Sequence, residues 1–209
     1  MRMSNQGQTG QIMTAATEHQ VAGRDINWWG MIFFIASEAL IFANLIASYL
    51  YLEIRGGSWR LPNGDQLDWR YPLVNTIILL LSSVPVRFAG AGVARGNRRN
   101  LMIGLAGTII LGAIFLGGQI YEYGSLFGQN FTPQAQAFGS AFFTLTGFHG
   151  LHVTIGIIFL LIMLIRSLRG DFTPKNHFGV QAAEMYWHFV DVVWVVVFST
   201  VYLLPLIRG

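Results

Sequence analysis

Residues 101–121 read Leu-Met-Ile-Gly-Leu-Ala-Gly-Thr-Ile-Ile-Leu-Gly-Ala-Ile-Phe-Leu-Gly-Gly-Gln-Ile-Tyr, twenty-one positions without a formal charge. At about 1.5 Å of rise per residue, a helix of that length crosses the ~30 Å hydrocarbon core of a bilayer. The stretch has no period-2 alternation, which excludes a barrel strand. Working outward, residues 28–52 repeat the pattern, interrupted only by Glu38, and so do residues 72–94, 138–165 and 182–206. With the first run extended to 101–123, they predict an all-α, polytopic integral membrane protein: one domain, 28–206, that is a bundle of five transmembrane helices. Residues 1–27 are rich in Gly, Gln, Thr and Ser and lack an apolar segment with a cleavage site. They are expected to be a flexible, disordered tail and not a signal peptide.

Composition agrees. Of 209 residues, 53% are hydrophobic and only 11% charged, where a soluble domain carries about 25%. Mean hydropathy is +0.50 and the pI is about 9.5. The net charge of +3 is dispersed, and phosphate binding needs a clustered basic face, so nucleic acid is excluded as a partner. There is no Cys, which removes disulfides, thiolate metal sites, cysteine nucleophiles and prenylation. No Gly-x-Ser-x-Gly elbow or glycine-rich phosphate loop is present.

The connections carry turn chemistry. Gly56, Gly57, Pro62, Asn63 and Gly64 cluster between the first two spans, and residues 95–100 predict a tight basic hairpin loop. Pro72 fits the first turn of its helix, whereas Pro85 lies inside and is expected to bend it. Thr132-Pro133 and Thr173-Pro174 each resemble an N-cap followed by proline at the first helical position. They predict that the last two helices begin there. Trp28, Trp29, Trp59, Trp69 and Tyr71 fall at expected interfaces.

Ionisable groups inside spans are costly unless paired or hydrated, so they mark candidate sites. Those here are Glu38, Glu122, His149, His152, His188 and Asp191, with Glu184 near the start of the fifth span. At about 1.5 Å per residue, Glu38 lies ~15 Å into the first span, and His188 and Asp191 ~9 and ~14 Å into the fifth from the same side. His152 is ~20 Å above the corresponding end of the fourth span. These four are expected to converge in one half of the bundle, with Glu122 apart from them at the other end. Glu184, His188 and Asp191 share a helix face at i, i+4, i+7. Leu145, His149, His152 and Gly156 form a second stripe, and Gly104, Thr108 and Gly112 form a small-residue face suited to tight packing. The residues alone leave two roles open: structural pairing or lipid contact, and proton movement. A metal centre has weak support, because a di-iron bundle needs two Glu-x-x-His pairs plus two further Glu.

The motifs resemble a known family. Thr146-Gly-Phe-His-Gly-Leu-His-Val153 and Tyr186-Trp-His-Phe-Val-Asp-Val-Val-Trp194 are similar to the signatures of haem–copper oxidase subunit III. Ser37-Glu38, Asn75-Thr76 and Gln119-Ile-Tyr-Glu-Tyr123 match in order, and the resemblance covers residues 28–205. It implies the last five spans of the seven-span relatives, as in short bacterial forms. It also implies a cofactor-free accessory subunit, with haem and copper in partner subunits. Subunits I and II and phospholipids are the implied partners. Subunit I reduces dioxygen to water and pumps protons, and subunit II delivers electrons from cytochrome c. A quinol oxidase form is the alternative, and an autonomous transporter the more distant one. The bacterial plasma membrane is the implied location. Glu38 stands at the family's intramembrane carboxylate; His149, His152, His188 and Asp191 match motif positions, as do Gln119 and Glu122, without a redox role.

Orientation follows from Lys and Arg. With the N-terminus cytoplasmic, that side holds Arg2, Arg24, Arg87, Arg95, Arg98, Arg99, Arg166, Arg169 and Lys175, nine in all, against Arg55, Arg60, Arg70 and Arg208 outside. Five spans then put the C-terminus outside. A reporter fused after Gly209 should be accessible only from the external face; a cytoplasmic signal would reverse the assignment.

Overall fold

The computed structural model describes residues 26–56, 61, 67–134 and 136–208. Of the expected tail 1–27, residues 1–25 lie outside the described residues, as do Gly57, Trp59, Pro62, Asn63 and Gly64 of the first connection, whereas Ile26 and Asn27 already belong to the first helix. Among the described residues five helices are long and apolar enough to cross a bilayer. They are α1 (Ile26–Gly56), α2 (Arg70–Ala94), α3 (Arg98–Gly128), α4 (Ala137–Arg169) and α5 (Phe178–Phe198), the last continued by a π-turn (Ser199–Leu203) and a short α6 (Leu204–Arg208). Among the described residues the only β-type pairing is the isolated bridge between Thr173 and Asn176.

The helices run past the apolar stretches at most of their ends. Hydropathy marks only the part that crosses hydrocarbon, and the intrahelical hydrogen bonds continue into the headgroup zone. Arg98, Arg99 and Asn100, expected in the hairpin loop, form the first turn of α3. The loop shrinks to Arg95-Gly96-Asn97, where Gly96 takes a left-handed φ of 72° and Asn97 caps α3 by accepting from Asn100 N at 3.1 Å.

The two Thr-Pro pairs do not start helices. The N-caps are Gln136 for α4 and His177 for α5. Thr173 and Asn176 instead exchange backbone hydrogen bonds of 3.2 and 3.0 Å across Pro174-Lys175, and Asn176 N also donates to Thr173 Oγ1. Proline fixes the φ that the second position of a β-turn needs, so the same dipeptide serves a turn as readily as a helix start. Helix α4 ends in a Schellman motif around Gly170, with Asp171 N bonded to Arg166 O and Gly170 N to Ser167 O. The same pattern closes α3 with Asn130 in the left-handed position. Helix α2 remains helical through Pro85. On α5 the turn before Pro205 widens to π, where proline lacks the N–H and crowds the carbonyl four residues back.

Helices α2, α3, α4 and α5 pack successively, α5 returns to α2, and α1 lies against α4 and α5. The interior carries the polar residues: Asn75, Thr76, Ser82, Thr108, Gln119, Thr146, His149, His152 and Asp191 are buried. The outside is apolar, with Leu81, Val84, Ile110, Ile114, Ile158 and Val192 exposed. This inversion is what a lipid solvent demands. Helix α1 buries little of itself: Phe42, Tyr49 and Glu53, one stripe at i, i+7, i+11.

The expected small-residue face of α3 lets neighbouring helices approach closely. A Cβ on Gly104 would lie 2.4 Å from Pro85 O and 2.7 Å from Ala89 N, and one on Gly112 would lie 2.6 Å from the Trp187 ring. Gly118 lies against the Asn75 side chain, which donates to Phe115 O at 3.0 Å. Gly104→Ala should therefore destabilise the bundle by about 1–3 kcal/mol, the usual cost of overpacking. Gly117, with nothing within 4 Å, is the control. Thermal unfolding in detergent should show a lower midpoint for Gly104→Ala and no loss for Gly117→Ala.

Candidate functional site

Helix α5 presents polar groups in two directions. Toward α2, two indoles tie the helices together: Trp187 Nε1 donates to Ser82 Oγ at 2.8 Å and Trp194 Nε1 to Thr76 Oγ1 at 2.9 Å. The acceptors are themselves held, Ser82 by Leu79 O and Thr76 by Pro72 O. Between these ties lies the Glu184, His188, Asp191 face. Ser83 of α2 donates to Asp191 Oδ2 and lies 3.0 Å from His188 Nδ1. A serine hydroxyl has one proton, so with that proton given to Asp191 the imidazole must donate from Nδ1. His188 Nε2 then faces Glu184 Oε1 at 3.8 Å. The Glu184 carboxylate rests on Gly90, where a Cβ would lie 2.2 Å from Oε2. The glycine is what lets a carboxylate lie against α2. A cavity of about 560 Å³ opens here, lined by Leu80, Ser83, Arg87, Glu184, His188, Asp191, Val192 and Val195.

Toward α1, the arrangement is a single pair. His152 Nε2 lies 3.0 Å from Glu38 Oε2, and its Nδ1 lies 2.8 Å from Phe148 O. A carbonyl oxygen only accepts, so Nδ1 carries a hydrogen. The contact between Nε2 and Oε2 then contains one shared proton: either imidazolium faces carboxylate, or neutral imidazole accepts from a carboxylic acid. His152 is buried, and the Glu38 side chain is 21% exposed. Phe42 flanks the His152 ring at 4.8 Å, and Tyr186 donates to His152 O at 3.4 Å.

The expected convergence of Glu38, His152, His188 and Asp191 is therefore not what the fold builds. The pairs sit on different flanks of α5, because residues 184, 188 and 191 face α2 while Tyr186 faces α1 and α4. His149 joins neither pair. It is fully buried, neither ring nitrogen has a hydrogen-bond partner among the described residues, and its ring packs against Trp194 at 4.6 Å, Phe115 at 5.9 Å and Phe42 at 6.3 Å. Gln119 donates to Thr146 O at 3.1 Å, beside a 2.7 Å contact between Tyr123 and Thr146 hydroxyls. Glu122 stands apart as expected, accepting from Tyr202 at 2.8 Å at the far end of α3. Among the described residues no three His, Asp or Glu side chains gather so as to hold a metal ion.

Sequence reasoning missed Ser83, Gly90 and Tyr202 as site residues. A serine in an apolar run has no periodic signature, and a glycine reads as helix packing. A tyrosine near a span end reads as a belt aromatic. The i+4 step from Ser83 to Arg87 was the available hint that this flank of α2 is polar.

Comparison with known proteins covers both pairs. The family model described as Cytochrome c oxidase subunit III matches residues 9–205. The cytochrome c oxidase subunit 3 of Thermostichus vulcanus is 37% identical over 190 residues, covering 90% of this chain and 92% of that protein. The Synechocystis protein of the same name is 40% identical over 181 residues, covering 86% and 76%. That of Drosophila melanogaster is 41% identical over 181 residues, covering 83% and 68%. The resemblance read from the fourth-span and fifth-span motifs is borne out: the chain belongs to the cytochrome c oxidase subunit III family.

Proposed function

We propose that the chain is the cofactor-free accessory subunit of a haem–copper terminal oxidase in a bacterial plasma membrane, packed beside subunit I. It supports dioxygen reduction to water coupled to proton pumping, with haem and copper held by partner subunits and cytochrome c donating electrons through subunit II. The observation that carries this reading is the one-proton pair of Glu38 and His152 on the flank of α1. Pairing makes the pair tolerable inside the membrane, and the partial exposure of Glu38 leaves it in reach of whatever lies against α1. Helix α1 displays Phe33, Leu40, Ile41 and Ile54 to its surroundings, a surface suited to phospholipid or a neighbouring subunit. Relatives from Thermostichus and Synechocystis support the bacterial membrane.

The cytoplasmic end in this reading is the one where α2 ends and α5 begins. Arg95, Arg98, Arg99, Arg166, Arg169 and Lys175 all lie at it, whereas Arg55 and Arg70 lie at the other. The Glu38–His152 pair keeps α1 in register with α4. It tunes proton supply to subunit I by holding a proton in a site that is neither fully buried nor fully wet.

Glu38→Ala leaves His152 Nε2 without its partner, a loss of about 1–3 kcal/mol at a buried group. The purified complex carrying it should show altered proton uptake or faster inactivation during turnover. Glu38→Gln, which keeps the shape and removes the titration, separates the two roles: it should retain assembly and reproduce the proton-uptake change. Normal uptake and normal turnover lifetime in both variants would reduce Glu38 to a packing residue. The donor is checked by oxygen consumption on the native complex with reduced cytochrome c against quinol; a quinol-only activity would overturn the cytochrome c assignment.

A further inference from the structure

We propose that the groove between α2 and α5 is a water-filled proton relay that ends on Asp191, with Ser83 passing the proton between His188 and Asp191. The inference deepens the accessory-subunit reading and rests on it for its consequence in the oxidase. The first observation is the orphan oxygen of the buried carboxyl group in the groove wall. Asp191 is 4% exposed, and its Oδ1 has no hydrogen-bond partner among the described residues. A buried carboxylate oxygen left bare costs several kcal/mol, and the adjoining open groove of about 560 Å³ has room for water beside it. In a lining that also holds Leu80, Val192 and Val195, the Ser83, Arg87, Glu184 and His188 side chains provide the two to four partners that a held water needs.

The second observation is order along the helix. From Phe178, Glu184 lies about 9 Å in, His188 about 15 Å and Asp191 about 20 Å. Glu184 and Arg87 lie at the end near the headgroup level, and Asp191 is the buried carboxyl nearer mid-membrane. The proton is taken from water at the headgroup end onto His188 Nε2, which faces the Glu184 carboxylate. His188 Nδ1 then gives its hydrogen to Ser83 Oγ as the hydroxyl proton moves to Asp191 Oδ2. His188 is left neutral with hydrogen on Nε2, Ser83 is again a hydroxyl, and Asp191 is a carboxylic acid. Charge and protons balance, and the reverse sequence releases the proton. The groups facing Asp191 are Ser83 and Arg87 from α2 and Glu184 and His188 on α5. On its other flanks, α4 and α1 bring His149 against Trp194, His152 against Tyr186, and Glu38 against His152.

The test is infrared spectroscopy of the intact purified complex with isotope-labelled aspartate, using deuterium oxide as the probe. A carboxylic band that titrates with buffer pH and is lost in Asp191→Asn is expected. In Ser83→Ala its exchange with deuterium should slow at least about tenfold, the low side of what a positioned proton-transfer group contributes. Ser83→Thr should restore the rate. Absence of a titrating aspartate band in the wild-type complex, or wild-type exchange in Ser83→Ala, would overturn the relay. Should Asp191→Asn fail to assemble, Gly90→Ala, which displaces Glu184 at the headgroup end, must slow exchange of the same band; an unchanged rate counts against the relay. None of these readouts uses turnover. Glu38 variants with normal uptake and turnover beside a slow Ser83→Ala therefore remove the proposed role of Glu38 alone, and the converse pattern sinks the relay alone.

Discussion

Hydrocarbon offers no hydrogen bond, so the polar side chains that enter this bundle turn inward and mostly bond to one another or to backbone carbonyls. That constraint organises the interior more than apolar packing does. Most helix junctions are marked by a polar tether: Asn75 to Phe115 O between α2 and α3, and Gln119 to Thr146 O between α3 and α4. Trp187 and Trp194 bond to α2 hydroxyls, and Glu38 to His152 joins α1 and α4. Between helices already surrounded by lipid tails there is no hydrophobic gain from association. Close van der Waals contact and such tethers supply the driving force. The glycines of α3 serve the first of these, the Ser, Thr, Asn and Gln side chains the second.

Helix α5 is where the constraint gathers most of the ionisable groups. It is neighbour to α4, α2 and α1, and its motif places different chemistry on different flanks. One flank offers Tyr186 to His152, the next buries Trp187 and Trp194, and the third carries Glu184, His188 and Asp191 toward Ser83. The two ionisable pairs are thereby insulated from each other by a helix rather than merged. Each has its own route to the surroundings, Glu38 along the thinly covered α1 and Glu184 along the α2–α5 groove. His149, between them in sequence terms, is packed among aromatic rings and contributes shape. Membership of the cytochrome c oxidase subunit III family gives these flanks a natural context, since a chain in a proton-pumping assembly faces both lipid and other subunits.

Much was legible beforehand, for identifiable reasons. The five spans announce themselves because a bilayer sets a minimum apolar length that ordinary helices do not reach. The Gly104, Thr108, Gly112 stripe and the common face of Glu184, His188 and Asp191 follow from 3.6 residues per turn alone. The separation of Glu122 from the other carboxyl groups was also readable, as a matter of rise per residue. What failed was inference from depth to contact. Glu38 and His188 stand at comparable heights, yet height does not say on which side of a neighbour a residue emerges. The Thr-Pro pairs failed for a different reason: proline's fixed φ suits a β-turn and a helix start equally, and only the path of the chain between α4 and α5 selects the turn.

Covalent order and elementary periodicity thus determined the class, the number of spans, the family and which residues share a helical face, because each depends on one segment and its solvent. Tertiary structure alone decided that His152 answers Glu38, that Ser83 stands between His188 and Asp191, and that His149 answers nothing. Those outcomes turn on the rotation of each helix about its axis and on which glycine lets a neighbour approach. Both are settled jointly by all five helices as they pack, so no single segment contains them.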